Sequence, residues 1–168
     1  HTLELQGSLA VPRCGGINHA DFSIDGRYAI FTCEFTGGVA KIDLVERKVL
    51  GYLQLILPGK PTKVVKGPDG RDETICTTWK GMPQDIRVSP DGRTWYIADM
   101  MSNGVYVVDG ERFAQIDYVK TSTGAHGLYP SRDGRKLYIA NRGSHKIHAP
   151  PKGPGGVSVL DFTTRNIV

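Results

Sequence analysis

The chain has 168 residues, of which 39% are hydrophobic and 23% charged, a balance typical of a folded domain and not of a disordered chain. No apolar run approaches the ~18 residues that a membrane-spanning helix needs. The 21 glycines and 10 prolines predict frequent turns. These features argue against a collagen, a coiled coil, a helical bundle and a membrane-spanning protein.

The net charge is +4, but the basic residues are scattered along the chain. The densest cluster, Lys60, Lys63 and Lys66, falls in a predicted loop. No module that interleaves aromatic and basic residues is present, so the sequence predicts no nucleic-acid partner.

Three cysteines, Cys14, Cys33 and Cys76, have a spacing that matches no zinc-binding pattern. Their odd number allows either one disulfide and one free thiol or three buried thiols. The first five residues have neither the basic start nor the apolar core of a signal peptide.

One pattern occurs three times and predicts the fold. Residues 18–33, 84–99 and 126–141 align without gaps on the motif Ser-x-Asp-Gly-Arg, with the Asp-Gly pairs 66 and 42 residues apart. Asp-Gly between two β-rich runs is a strong hairpin signal, because the tight turn needs a positive φ that glycine supplies.

Two further strands are predicted after each hairpin. Third strands are expected at 38–43, 104–109 and 156–161, and fourth strands at 48–54 and 114–120. Four short antiparallel strands repeating about every 42 residues are typical of a propeller blade. The predicted fold is therefore all-β, a β-propeller with three four-stranded blades present.

Predicted boundaries divide the chain into an outer strand of a preceding blade, a first blade, an insertion, a second blade and an incomplete third blade. These are residues 2–11, 17–55, 56–82, 83–121 and 125–168. Propellers have about 4–8 blades, so three cannot close a ring. We expect a fragment of a larger propeller of about seven blades, completed by the remainder of the ring or by a second copy.

The repeats resemble the YVTN family of β-propeller repeats. The segments Ser89-Pro-Asp-Gly-Arg-Thr-Trp-Tyr-Ile-Ala-Asp99 and Gly156-Val-Ser-Val-Leu-Asp161 are similar to that family's repeat unit. The first repeat departs most, because Phe31-Thr-Cys-Glu34 replaces the usual small polar ending. This resemblance implies a periplasmic, secreted or cell-surface protein, but fold alone does not select an activity.

Two functions are compatible with that resemblance. The first is a non-catalytic scaffold that binds a protein, a glycan or a small ligand at one face. The alternative is a propeller enzyme or cofactor holder, either a lactonase-like hydrolase or a redox protein with metal or haem at the channel. The residues do not identify a cofactor.

Candidate ligand-binding residues lie where equivalent positions of successive blades converge on the channel. The first strands supply His19, Asp85 and His126, and the ends of the second strands supply Glu34 and Arg142. Such groups can bind or polarise a small ligand. A structural interpretation stands beside this one, since polar inner strands also suit a water-filled channel.

His126, His145 and His148 are metal-ligand candidates, because imidazole binds copper or zinc and His145 and His148 lie in a loop that could fold over the channel. The second strands end in Cys33, Asp99 and Asn141, where aspartate and asparagine commonly satisfy turn backbone.

The strand register also predicts which aliphatic side chains are buried between blades. They are Ile30, Val88, Ile97, Val107, Leu128, Ile139 and Val159.

Overall fold

A computed structural model of the protein describes residues 3–145, 148 and 150–168. Within these residues it contains thirteen β-strands and no helix. The strands are β1 Ile17–Phe22, β2 Tyr28–Cys33, β3 Gly38–Asp43, β4 Lys48–Gln54, β5 Thr62–Lys66, β6 Asp72–Cys76, β7 Pro83–Val88, β8 Thr94–Asp99, β9 Gly104–Asp109, β10 Ala114–Lys120, β11 Ala125–Pro130, β12 Lys136–Asn141 and β13 Gly156–Asp161.

The strands form three blades and one hairpin, all antiparallel. Strands β1–β4 make the first blade, β7–β10 the second and β11–β13 the third, each paired in sequence order. The third blade adds only a bridge between Leu160 and Ile167 where a fourth strand would lie. The predicted all-β propeller fold is confirmed. No element of the described residues is a helix of the length and apolarity that a membrane crossing needs.

The repeated motif closes each first hairpin as the sequence predicts. In the second blade, the Ser89 hydroxyl donates to the Asp91 carboxylate at 2.5 Å, and Gly92 has a φ of 76°. The same serine–aspartate bond is present in the other two blades. The turn therefore depends on all three residues, with glycine taking the left-handed conformation.

Apolar side chains pack between successive blades. Ile30 and Val39 of the first blade contact Ile86, Trp95 and Ile97 of the second. On the other face of the second blade, residues of β8 and β9 pack against Leu128, Leu137 and Ile139 of the third, and they are Tyr96, Ala98, Val105 and Val107. The core is thus two interfaces between sheets.

Five of the seven aliphatic residues predicted to be buried are fully so, and Val88 and Val159 are partly exposed. Val159 belongs to the face of the third blade that no further blade covers. On that face Tyr138 is 40% exposed, whereas its counterpart Tyr96 in the second blade is 1% exposed. This is the face that a further blade would cover in a larger ring.

Two segments outside the blades differ in how they match their predictions. Residues 56–82 contain the hairpin of β5 and β6, which the Arg13–Glu73 ion pair joins to the segment before β1. Residues 3–10, predicted to belong to the outer strand of a preceding blade, form no strand, and Leu3 and Leu5 are exposed. A strand needs a hydrogen-bonding neighbour, and no other strand lies beside this segment.

Candidate functional site

The first strands of the three blades, β1, β7 and β11, lie side by side, and two aspartates join them. The Asp21 carboxylate accepts the backbone N–H of Val88 at 2.8 Å, which ties the first blade to the second. The Asp85 carboxylate accepts the N–H of Leu128 at 2.8 Å, which ties the second to the third. These bonds bring three sequence-distant inner strands into one surface.

Each inner strand carries a β-bulge at its beginning. The pairing of β1 with β2 shifts between Ile17 and Ala20, that of β7 with β8 between Pro83 and Ile86, and that of β11 with β12 between Ala125 and Gly127. A bulge inserts one extra residue and turns its side chain away from the regular alternation. The residues at the bulges are Asn18, His19, Gln84, Asp85 and His126.

Three of the predicted site residues come together at these bulges. His19 Nδ1 lies 3.6 Å from Asp85 Oδ1, and the rings of His19 and His126 lie edge to face with centroids 6.4 Å apart. The Asp85 side chain is 4% exposed, while that of His19 is 41% exposed. Asp85 is therefore a buried carboxylate behind an imidazole that solvent reaches.

The Asp85 carboxylate is held from several directions. Besides Leu128, it accepts the backbone N–H of Ile86 at 2.9 Å and the guanidinium of Arg87 at 2.7 Å, both on Oδ1. Its charge is therefore largely satisfied within the protein, and its orientation is fixed before any ligand arrives.

Glu34, at the end of the first hairpin, belongs to an amide network beside the histidines. Its Oε1 accepts from Gln84 Nε2 at 3.0 Å and its Oε2 from Asn18 Nδ2 at 3.3 Å. Gln84 is 3% exposed. Glu34 is thus anchored by two inner strands, and neither of its oxygens is left without a donor.

Arg142 supplies the least neutralised charge of the group. Its Nη1 lies 3.6 Å from the sulfur of Met100, and no carboxylate of the described residues lies within 4.0 Å of it. The side chain is exposed. Its guanidinium can therefore bind an anion or a carbonyl oxygen without first breaking an ion pair.

The environment of His126 favours its neutral form. Burial lowers the pKa of His126, the positive charges of Arg142 and His19 lower it further, and Asp85 and Glu34 act in the opposite direction. All five predicted ligand-binding residues thus lie near enough to interact. A neutral imidazole can accept a proton or a hydrogen bond at neutral pH.

The ends of the second strands differ from one another chemically. Asp99 Oδ1 accepts the backbone N–H groups of Met101 and Ser102, as predicted for a turn aspartate. Asn141 instead donates to Ile139 and Ser158, and Cys33 forms a disulfide with Cys14. Of the alternatives that the cysteine count allows, the structure has one disulfide and a buried free thiol at Cys76.

The metal hypothesis gains no geometric support. Among the described residues, no group of three or more histidine, cysteine, aspartate or glutamate side chains could hold a metal ion. His148 is exposed, and His145 is partly buried in the loop before β13. Their role as ligands, alone or with His126, stays a prediction.

The signal for the site in the sequence was the position of polar residues in the repeat. The bulges left no such signal, because the residues at them differ in type from blade to blade. Asn18 and Gln84, which hold Glu34, were visible only as aligned strand starts. The basic cluster of Lys60 to Lys66 lies on the β5–β6 hairpin, where Lys60, Lys63 and Lys66 are exposed.

Comparisons with known proteins identify the fold but no family. The sequence matches no family model and no curated protein. The YVTN resemblance is therefore not confirmed as family membership. Solved structures, however, are similar over nearly the whole chain.

Three of these structures have TM-scores above 0.6. One is a Pseudomonas aeruginosa periplasmic gluconolactonase (TM-score 0.63, 19% identity, covering 95% of this chain and 39% of that one). Another is a putative 6-phosphogluconolactonase from Bacteroides fragilis (0.62, 18%, 95% and 38%). The third is a protein from Lactobacillus plantarum (0.65, 17%, 95% and 42%). The chain spans about two fifths of their lengths, and identities this low show the fold alone.

Proposed function

We propose that this protein is a non-catalytic propeller module that binds a small anionic or carbonyl-bearing ligand on the surface of its inner strands. The observation that carries the proposal is the convergence of His19, Asp85 and His126 on one surface, although 107 residues separate the first from the last. The ligand contacts would come from the two imidazoles and from Arg142.

Charge balance supports an anion or carbonyl over a cation. The carboxylates of Glu34 and Asp85 already accept hydrogen bonds from groups of the protein. Arg142 has no such partner among the described side chains. The group of this site with binding capacity to spare is thus a cation.

An extracytoplasmic location is part of the proposal. The Cys14–Cys33 disulfide supports it, because disulfides persist in oxidising compartments and are rare in the cytosol. The similar Pseudomonas aeruginosa protein is described as periplasmic. The complete ring would have about seven blades, since three blades here correspond to about two fifths of the similar structures.

The test is a titration of the complete protein with small carboxylates, using citrate and gluconate as probes. We expect His126→Ala to weaken binding about tenfold or more, because it removes a partly buried contact. Lys63→Ala, on the exposed hairpin, is the matched control and is expected to leave binding unchanged. Equal effects of both substitutions would contradict the proposed placement.

A second candidate function is lactone hydrolysis, and the neutral state of His126 favours it. A neutral imidazole can accept a proton from water as the water oxygen attacks a lactone carbonyl carbon, while Arg142 stabilises the developing oxyanion. The ring C–O bond then breaks, and the alkoxide takes the proton back from the imidazolium. The two similar structures described as gluconolactonases support testing this class of substrate.

Hydrolysis of glucono-lactone by the complete protein, followed by base consumption at constant pH, separates the two functions. An enzyme should lose its rate in His126→Gln, which keeps hydrogen bonding but not basicity. If the rate above that of buffer is absent while carboxylates still bind, the non-catalytic function holds. If neither is observed, both proposals fail.

A further inference from the structure

A cleft of about 540 Å³ lies between the second and third blades, away from the candidate ligand site. It is bounded by the Asp-Gly turns of these blades, whereas His19, Asp85 and His126 lie at the opposite ends of the inner strands. The lining residues used below are Asp91, Tyr96, Asp117, Phe162, Thr163 and Arg165.

The corresponding space between the first and second blades is filled. There, Phe113 of the second blade packs over Gly51 of the first, and a Cβ atom on Gly51 would lie 3.5 Å from the Phe113 ring. Phe113 takes a φ of 48° in the turn between the third and fourth strands. This backbone conformation aims its side chain back at the preceding blade.

The repeat places Asp117 where the first blade has Gly51, and Arg165 where the second has Phe113. Arg165 has a φ of 59°, so the same turn conformation delivers a guanidinium in place of a phenyl ring. An apolar contact has thus been replaced by a carboxylate and a guanidinium, and the interface stays open at this point.

The floor of the cleft is aromatic. Tyr96 is 1% exposed, and its ring packs against that of Phe162 at a centroid distance of 5.2 Å. Burial raises the pKa of Tyr96, and a hydrogen bond from Arg165 and its positive charge oppose the rise. The hydroxyl is therefore protonated at neutral pH and lies beside the guanidinium.

Charges of both signs line the walls without neutralising each other at contact distance. Among the described residues, Arg165 forms no ion pair within 4.0 Å with either Asp91 or Asp117. An anionic ligand would meet two carboxylates, and a cationic ligand would meet Arg165. A neutral ligand that both donates and accepts hydrogen bonds meets neither penalty.

We propose that this inter-blade cleft binds a neutral polyhydroxylated ligand, a mono- or disaccharide. Its hydroxyl groups would donate to the carboxylates of Asp117 and Asp91 and accept from Arg165, and Thr163 adds a hydroxyl at the rim. An apolar ring face would lie near Phe162. The volume is within the range of about 300–1,000 Å³ that small-molecule sites occupy.

The first test records backbone amide NMR shifts of the chain on addition of glucose, galactose, N-acetylglucosamine and cellobiose. We expect at least one sugar to shift the signals of residues 162–165 and of Asp117, with a Kd near or below about 10 mM. Sodium acetate and ethylammonium chloride serve as charged comparisons. If no sugar shifts these signals, or if only a charged probe does, the proposal is overturned.

Variants then separate the cleft from the rest of the surface. We expect Asp117→Asn to weaken binding of the best sugar about tenfold, while Glu111→Gln, an exposed carboxylate of the same blade outside the cleft, leaves it unchanged. Weaker binding in His126→Ala instead would move the sugar to the inner strands and overturn the assignment.

A double substitution closes the cleft by copying the other interface. Asp117→Gly with Arg165→Phe recreates the Gly51–Phe113 contact, which the backbone conformation of Arg165 already suits. We expect sugar binding to be lost while the chain keeps its melting temperature. Undiminished binding in this folded variant would refute the site.

Discussion

The carboxylate of Asp85 accepts the backbone N–H of Leu128 at 2.8 Å, and Asp21 makes the same bond to Val88 one interface earlier. Each aspartate also accepts the N–H of the residue that follows it, Ile86 and Phe22 respectively. Inner strands of neighbouring blades thus share a repeated charged hydrogen bond. In the second blade, the same carboxylate also lies against the candidate ligand site.

Asp21→Ala should lower the free energy of unfolding by about 1–3 kcal/mol, because a hydrogen bond to a charged acceptor is lost and the Val88 N–H is left without a partner. Asp117→Ala is a matched control, since Asp117 also accepts the N–H of the next residue, Tyr118, but has no printed-strand partner across the interface. Urea unfolding of both variants checks this. Equal losses would mean that the inter-blade bond contributes nothing.

The sequence was most informative where a local rule governs structure. Asp-Gly turns, the serine–aspartate bond and the alternation of core residues follow from backbone geometry, so the repeat predicted the hairpins and most of the buried positions. The aspartate ties were not predictable in this way. Asp21 and Asp85 occupy different places in the aligned repeats, because the bond depends on how neighbouring blades are placed and not on local sequence.

The candidate site was predictable in its membership but not in its geometry. Equivalent strand starts suggested that His19, Asp85 and His126 converge. The bulges that position them follow from pairing between β1 and β2, or their equivalents, and no residue type marks them. Residues 3–10 show the opposite failure, since an apolar–polar pattern alone does not make a strand without a partner strand.

Ile97→Ala should lower the free energy of unfolding by about 2–5 kcal/mol, because the side chain is fully buried between the first and second blades and its loss leaves a cavity. Ile116→Ala on β10 is the control, since Ile116 is 37% exposed and should lose much less. Chemical denaturation measures both. A loss well under 1 kcal/mol for Ile97→Ala would show that the strand register is wrong.

The Cys14–Cys33 disulfide closes a loop of 19 residues, and both sulfur-bearing residues are buried against Ala40. Replacing both with serine should lower the free energy of unfolding by about 3 kcal/mol, mainly through greater freedom of the unfolded chain. Reductant should destabilise the unaltered protein and leave the double variant unchanged. Insensitivity of the unaltered protein to reductant would contradict the bond.

His126 should titrate below its ordinary pKa of about 6.5 in the folded protein. Its folded-state pKa is lower than its unfolded-state value, so the unfolded chain binds the proton more readily. The free energy of unfolding should therefore fall as the pH drops below about 6.5, and the fall should end once the pH is below the folded-state pKa. His126→Gln should remove this contribution to the pH dependence.

The cause of the shift can be tested with two arginines of the third blade. Arg142→Gln should raise the pKa of His126, because it removes a positive charge near the imidazole, although burial, the larger cause, remains. Arg132→Gln, an exposed residue in the Asp-Gly turn at the opposite end of the blade, should leave that pKa unchanged. Titration of the His126 ring protons by NMR measures both. An unchanged pKa in Arg142→Gln would place the guanidinium too far from His126 for the two to share a ligand.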